Sequence, residues 1–189
     1  MSRDVKCRAG CQETETAAHV IQNCHRTHGG RVLRHNAVCH VLAAGLRRAG
    51  WSVEEPVIPT REGNRKPDMV CYKEDTATVI DTQIVSADSS LNDSHQRKRN
   101  YYAKNPDEPP KLVEKLGIDL KNLTFTSCTV SWRGVWATKL QEDLLRMGLT
   151  KNLLSSITTR VLQGSHTNWS RFNRMTNMKH RSPTREGIG

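Results

Sequence analysis

The sequence predicts an α/β fold: a central sheet flanked by helices, preceded by a small cysteine- and histidine-rich module. Three observations predict it. Three runs read as strands: a short one at 68–72, one rich in β-branched residues at 76–85 and an alternating one at 122–132. The segments at 31–49, 138–147 and 151–162 instead repeat apolar residues at helical spacing. Three cysteines and a histidine crowd into residues 7–24. A length of 189 residues suits one domain with a modest appendage.

Hydrophobic residues make up only 35% of the chain, and the mean hydropathy is −0.66. The net charge of +10 and pI near 9.6 favour a polyanionic partner, nucleic acid being the commonest. Of the six cysteines, three cluster near the start and three lie singly in apolar runs. That is not a secreted disulfide framework. Met1-Ser2-Arg3-Asp4 carries no apolar stretch, so no signal peptide is expected. No run approaches the ~20 apolar residues of a membrane span. The expected compartment is reducing, cytosol or nucleus.

Cys7, Cys11, His19 and Cys24 form a Cys-x3-Cys-x7-His-x4-Cys set. Thiolate sulfur and imidazole nitrogen are natural zinc donors, and four of them close a tetrahedral structural site. So short a stretch buries no core, and a metal would supply its folding energy. His25 and His28 are alternative fourth ligands.

Along the chain, Val38, Val41, Leu42, Gly45, Leu46 and Ala49 predict a helix over 31–49, stopped at Gly50. Arg34 extends its inward face and fits either a solvated helix start or a phosphate contact in a cleft. His35 shares that choice. A strand interrupted by Pro56 is expected at 51–58, then a loop at 60–67. Short and long strands follow at 68–72 and 76–85. The stretch 89–102 reads as a helix with Leu91, Lys98 and Tyr102 on one face, and 111–116 as a short helix ended by Gly117. A strand at 122–132 precedes helices at 138–147 and 151–162. From Gly164 the periodicity fails. Residues 160–189 hold six Lys/Arg and one acid, and disorder is expected beyond Thr176.

The chemistry concentrates between Lys66 and Lys98. Pro67 forces an extended entry to Asp68. Asp81 sits inside Val-Ile-Asp-Thr-Gln-Ile-Val, where an unpaired charge is costly. Adjacent strands lie ~5 Å apart, so two such carboxylates can share one Mg²⁺. A nearby lysine would offset charge developing on a phosphate. These residues point to a metal-dependent nuclease core.

Pro67-Asp68, twelve intervening residues and Asp81 resemble the PD-(D/E)xK nuclease pattern, with Gln83 where lysine usually stands. Together with the CCHC set, Arg34-His35-Asn36, Lys66, Lys98 and Tyr101-Tyr102, they resemble the C-terminal restriction-like endonuclease of site-specific non-LTR retrotransposons. The group in question inserts into ribosomal RNA genes. The resemblance implies a restriction-endonuclease-like core with a mixed central sheet flanked by helices. The resemblance spans about residues 7–105, and with the residue patterns the chain is expected to divide into a zinc knuckle at 1–29, an endonuclease domain at 30–163 and a basic, partly disordered tail at 164–189. It implies a lysine moved from the strand to the next helix, which Lys98 fits, with Arg97, Arg99 and Lys104 as rivals. Tyr102 either orients Lys98 or packs.

The implied catalytic set is Asp68, Asp81, Lys98 and Tyr102, with Mg²⁺ or Mn²⁺ on the two acids and structural Zn²⁺ in the knuckle. Arg34, His35, Lys66, Arg97, Arg99 and Lys104 are the expected nucleic-acid contacts. The implied activity is nicking of target DNA, whose 3′ hydroxyl then primes reverse transcription. Partners would be double-stranded target DNA, the polymerase part of the same polyprotein and, as a further option, element RNA, but no membrane. The location would be the nucleus. Three rival readings remain: a non-catalytic, zinc-stabilised nucleic-acid-binding module, a junction-resolvase-like nuclease and, as the residual, a zinc-stabilised protein-interaction domain.

Overall fold

The computed structural model describes residues 5–86 and 90–177. Six strands form among them: β1 (Ser52–Glu54), β2 (Ile58–Thr60), β3 (Gly63–Arg65), β4 (Met69–Lys73), β5 (Thr76–Val85) and β6 (Leu123–Ser131). The central sheet has the order β1-β4-β5-β6. Its first two pairings are antiparallel and the β5–β6 pairing is parallel, so the sheet is mixed. The parallel pairing requires a crossover, which α2 (Leu91–Ala103) and α3 (Glu108–Leu116) provide.

Strand periodicity divides the sheet into two faces. Met69, Cys71, Ile80, Cys128 and Val130 pack with Val38, Leu42 and Leu46 of α1 (His28–Arg48). The same core takes in Leu140 and Leu144 of α4 (Thr138–Arg146) and Leu154, Ile157 and Val161 of α5 (Lys151–Asn177). On the opposite face Val70, Ala77 and Val79 pack with Tyr102 of α2 and Leu112 of α3. Asp81 and Gln83 continue the second face, so both point towards α2.

The structure changes several expected boundaries. The strand expected at 51–58 stops at Glu54, and a hairpin, β2–β3, runs from Ile58 into the loop expected at 60–67, its turn permitted by Gly63 at φ +107°. The short helix begins at Glu108, with Pro109 and Pro110 inside its first turn. Proline is tolerated there because first-turn N–H groups have no intrahelical partner. Asn105 Oδ1 accepts from the backbone N–H of Asp107 and Glu108 and secures that start.

The largest difference is α5, which runs unbroken through the expected break at Gly164 to Asn177. Its inward face there is polar: Ser165, Asn168 and Thr176 are buried beside Phe172. A hydrophobic-period reading loses such a face. A Cβ on Gly164 would lie 2.5 Å from Arg34 Cγ, so this glycine is a close-approach position and not a helix stop. The expected disorder beyond Thr176 falls, from residue 178 onward, outside the described residues, as does Ser89 at the expected start of α2.

Candidate active site

The β4–β5 register pairs Met69 with Ile80. Continued by one residue, it sets Asp68 opposite Asp81. Asp68 precedes its strand, and its Oδ2 accepts the Thr82 backbone N–H at 2.6 Å. Asp81 lies within its strand and is buried. Burial pushes its pKa up, the neighbouring Lys98 and the Tyr102 hydroxyl pull it back, and Asp68 pushes it up further.

α2 supplies both of those partners. Ser90 starts the helix by accepting the Asp93 backbone N–H on its side chain. Lys98 and Tyr102 are four residues apart and share a helix face. Lys98 Nζ lies 2.8 Å from Asp81 Oδ2, and the Tyr102 hydroxyl donates to Asp81 Oδ1 at 2.7 Å. Burial, followed by the Asp81 charge, pushes the Tyr102 hydroxyl pKa well up, so it remains a donor. Gln83 fastens α2 to the sheet: its amide donates to the Ser94 carbonyl and to Thr129 Oγ1, at 2.9 and 2.7 Å.

Two neighbours of the acids were not anticipated in these places. His35, expected to meet phosphate, instead has Nε2 3.1 Å from Asp68 Oδ2. That pairing, reinforced by Cys39, raises the imidazole pKa to about 11. Glu108 is fully buried and neither carboxyl oxygen is hydrogen-bonded. Burial raises its pKa to about 7; Arg65 opposes the rise and Asp81 adds to it. Nothing in the sequence singles out Glu108, since an acid before two prolines reads as loop.

The basic residues divide. Lys66, Arg97, Lys98, Tyr101 and Tyr102 line one cleft of about 430 Å³, together with Gln83 and Ser94. Arg65 stacks on Tyr101 at 4.1 Å and adds positive charge beside the cleft. Arg99 and Lys104 are exposed on the same helical segment. Arg34 departs from the expected open contact. It is 3% exposed, donates to Ser165 Oγ at 2.7 Å and also bonds Gln22 Oε1. Burial lowers its pKa to about 10. Its guanidinium ties α1 to α5 and to the N-terminal module.

In that module the ligand atoms of Cys7, Cys11, His19 and Cys24 all lie within 4.8 Å of one another. Both ring nitrogens of His19 are buried without a hydrogen-bond partner. Burial and the adjoining Cys7 and Cys11 thiols raise the Cys24 pKa to about 12, against a backbone N–H that lowers it. Crowded thiols and an orphaned imidazole fit a cation such as zinc. His25 touches Cys11 at 3.2 Å but is exposed and stands outside the set. Cys7, Val20 and Cys24 pack on Phe172 of α5, and Gln22 donates to the Ile84 carbonyl of β5 at 2.8 Å. The module is thereby anchored to the strand that carries Asp81.

No family model matches the chain. Nearly all of it is, however, similar to a segment of retrovirus-related Pol polyproteins. It is 37% identical over 179 residues to the Pol polyprotein from type-1 retrotransposable element R2 of Nasonia vitripennis, covering 94% of this chain and 17% of the relative. It is 39% identical over 162 residues to that of the type-2 element R2DM of Drosophila melanogaster, covering 85% and 15%. A third relative, the type-1 R2 polyprotein of Bradysia coprophila, is 34% identical over 180 residues, covering 95% and 20%. The homologues of this chain are thus R2 retrotransposon Pol polyproteins, and it spans a fifth or less of the length of these three.

Proposed function

We propose that this chain is the DNA endonuclease segment of an R2-type Pol polyprotein. It nicks target DNA in the nucleus, and the freed 3′ hydroxyl primes reverse transcription of the element RNA by the polymerase part. The observation that carries the reading is the convergence of Asp68, Asp81, Lys98 and Tyr102 at one edge of a mixed sheet, beside a basic cleft.

Two carboxylates on adjacent strands fit a hard divalent cation, Mg²⁺ or Mn²⁺, which takes one or two protein carboxylates and completes its shell with water and phosphate oxygens. When bound, such a cation polarises the scissile phosphate and acidifies the attacking water. The remaining work belongs to the chain. Tyr102 holds one Asp81 oxygen and the Thr82 backbone holds Asp68, so both acids are set before substrate arrives. Lys98 offsets charge on the phosphate in the transition state. Lys66, Arg97, Arg99 and Lys104 grip flanking phosphates, which gives affinity without sequence. The zinc-stabilised module braces the far end of β5 through Gln22.

The test is conversion of supercoiled plasmid to the nicked form with Mg²⁺. Asp68→Ala and Asp81→Ala should abolish it. If both variants nick as well as wild type, the site assignment is wrong. Binding in Ca²⁺ without cleavage in any metal would favour a non-catalytic binding module. Preference for four-way over linear DNA would favour a resolvase.

A further inference from the structure

A second cluster of metal-binding side chains adjoins the acids. His35 and Cys39 are four residues apart on α1 and therefore share a face. Asp68 meets them from the start of β4. One donor atom from each of the three lies within 4.8 Å of the others. His35 Nε2 is 3.1 Å from Asp68 Oδ2, and Cys39 Sγ is 3.9 Å from the same nitrogen. Zinc bonds of about 2.0–2.3 Å in a tetrahedral shell separate donors by about 3.3–3.8 Å. The separations seen here bracket that range, so small rotations of side chains would close the site.

We propose that His35, Cys39 and Asp68 form a second zinc site, with three protein donors and one open position. The mixed nitrogen, sulfur and oxygen set favours Zn²⁺ over Mg²⁺, because thiolate and imidazole are poor ligands for the harder ion. All three residues are half-buried, which leaves an entry path. The Thr82 N–H already orients the carboxylate, as a supporting contact of a metal ligand should. Asp68 thus stands between two metal chemistries. Zinc on the His35 side takes it away from the Asp81 side, so zinc antagonises Mg²⁺-dependent nicking. The binding claim stands on the donor set alone; the antagonism rests on the proposed role of Asp68.

Zinc bound per chain is measured by equilibrium dialysis of the whole chain, wild type against Cys39→Ser, with melting curves to confirm that both are folded. The expected result is one zinc fewer in the variant. Equal stoichiometry in two folded proteins overturns the site, and Cys39→Ala repeats the comparison if the serine variant does not fold. Nicking is then measured at fixed Mg²⁺ with rising Zn²⁺, each protein against its own zinc-free rate. Wild type should lose at least about tenfold at zinc levels that change Cys39→Ser less than about twofold. Equal inhibition of both overturns the antagonism. A wild type that never nicks sinks the nuclease reading instead, and the stoichiometry still decides the site.

Discussion

Replacing Lys98 by alanine isolates what the helix lysine does for the strand acid. Its ammonium lies 2.8 Å from Asp81 Oδ2, and the Asp81 side chain is only 6% exposed. Burial already pushes that carboxyl pKa up, with Lys98 the first of the groups opposing it. A charge-assisted hydrogen bond contributes about 1.5–3 kcal/mol. The Lys98 side chain is 34% exposed, so solvent screening reduces this to roughly 1–1.5 kcal/mol. Losing it should push the Asp81 pKa further up. The proposed metal takes the ionised form, so the acid limb of nicking should move to higher pH. The plateau should also fall, by about 10²–10³ if Lys98 stabilises the transition state as an oriented donor does. The assay is the initial rate of plasmid nicking against pH at a fixed, sub-saturating Mg²⁺ concentration. Superimposable profiles for variant and wild type would refute the reasoning.

The buried Glu108 carboxyl has a folded pKa of about 7 against 4.5 for an ordinary glutamate. Its cost therefore develops as pH rises between those values and persists above; Glu108→Gln should stabilise the fold by roughly 1–3 kcal/mol at alkaline pH and by little in acid, as thermal melts at the two ends would show. Zinc removal by a chelator should lower the melting temperature markedly, because structural zinc supplies on the order of 10 kcal/mol in small zinc-dependent domains. His19→Ala should make the chelator's effect smaller than in wild type. Gly30→Ala would bring a Cβ to 1.8 Å from Asn168 Oδ1, at a buried α1–α5 contact. Denaturant melts should record a loss of about 1–3 kcal/mol, the usual cost of overpacking.

Strands β4, β5 and β6 and the two acids were legible because their signals are local. Thr76–Val85 is β-branched along most of its length, and only Asp81 and Gln83 interrupt the rest, both on the face that α2 covers. The Lys98–Tyr102 spacing likewise sets both residues on one helix face. What escaped depends on distant partners. The polar inward side of α5 shows no apolar period, because Ser165 and Asn168 face α1 through Arg34 and Gly30. Arg34 looked free for phosphate until Gln22 and Ser165 claimed it. His35 and Cys39 were readable as an i, i+4 pair, but only the fold brings Asp68 to them. Glu108 carries no sequence signal, since its importance lies in being buried near Asp81.

The central claim is that Asp81 serves the cleavage step and not DNA binding. Single-turnover cleavage of an end-labelled duplex by Asp81→Asn, paired with its binding to the same duplex in Ca²⁺, tests this most directly. The amide keeps the shape of the carboxylate and removes its charge. The expected result is binding within a few-fold of wild type and cleavage lost by at least about 10³, the range associated with removing a catalytic group. Cleavage at the wild-type rate would contradict the account.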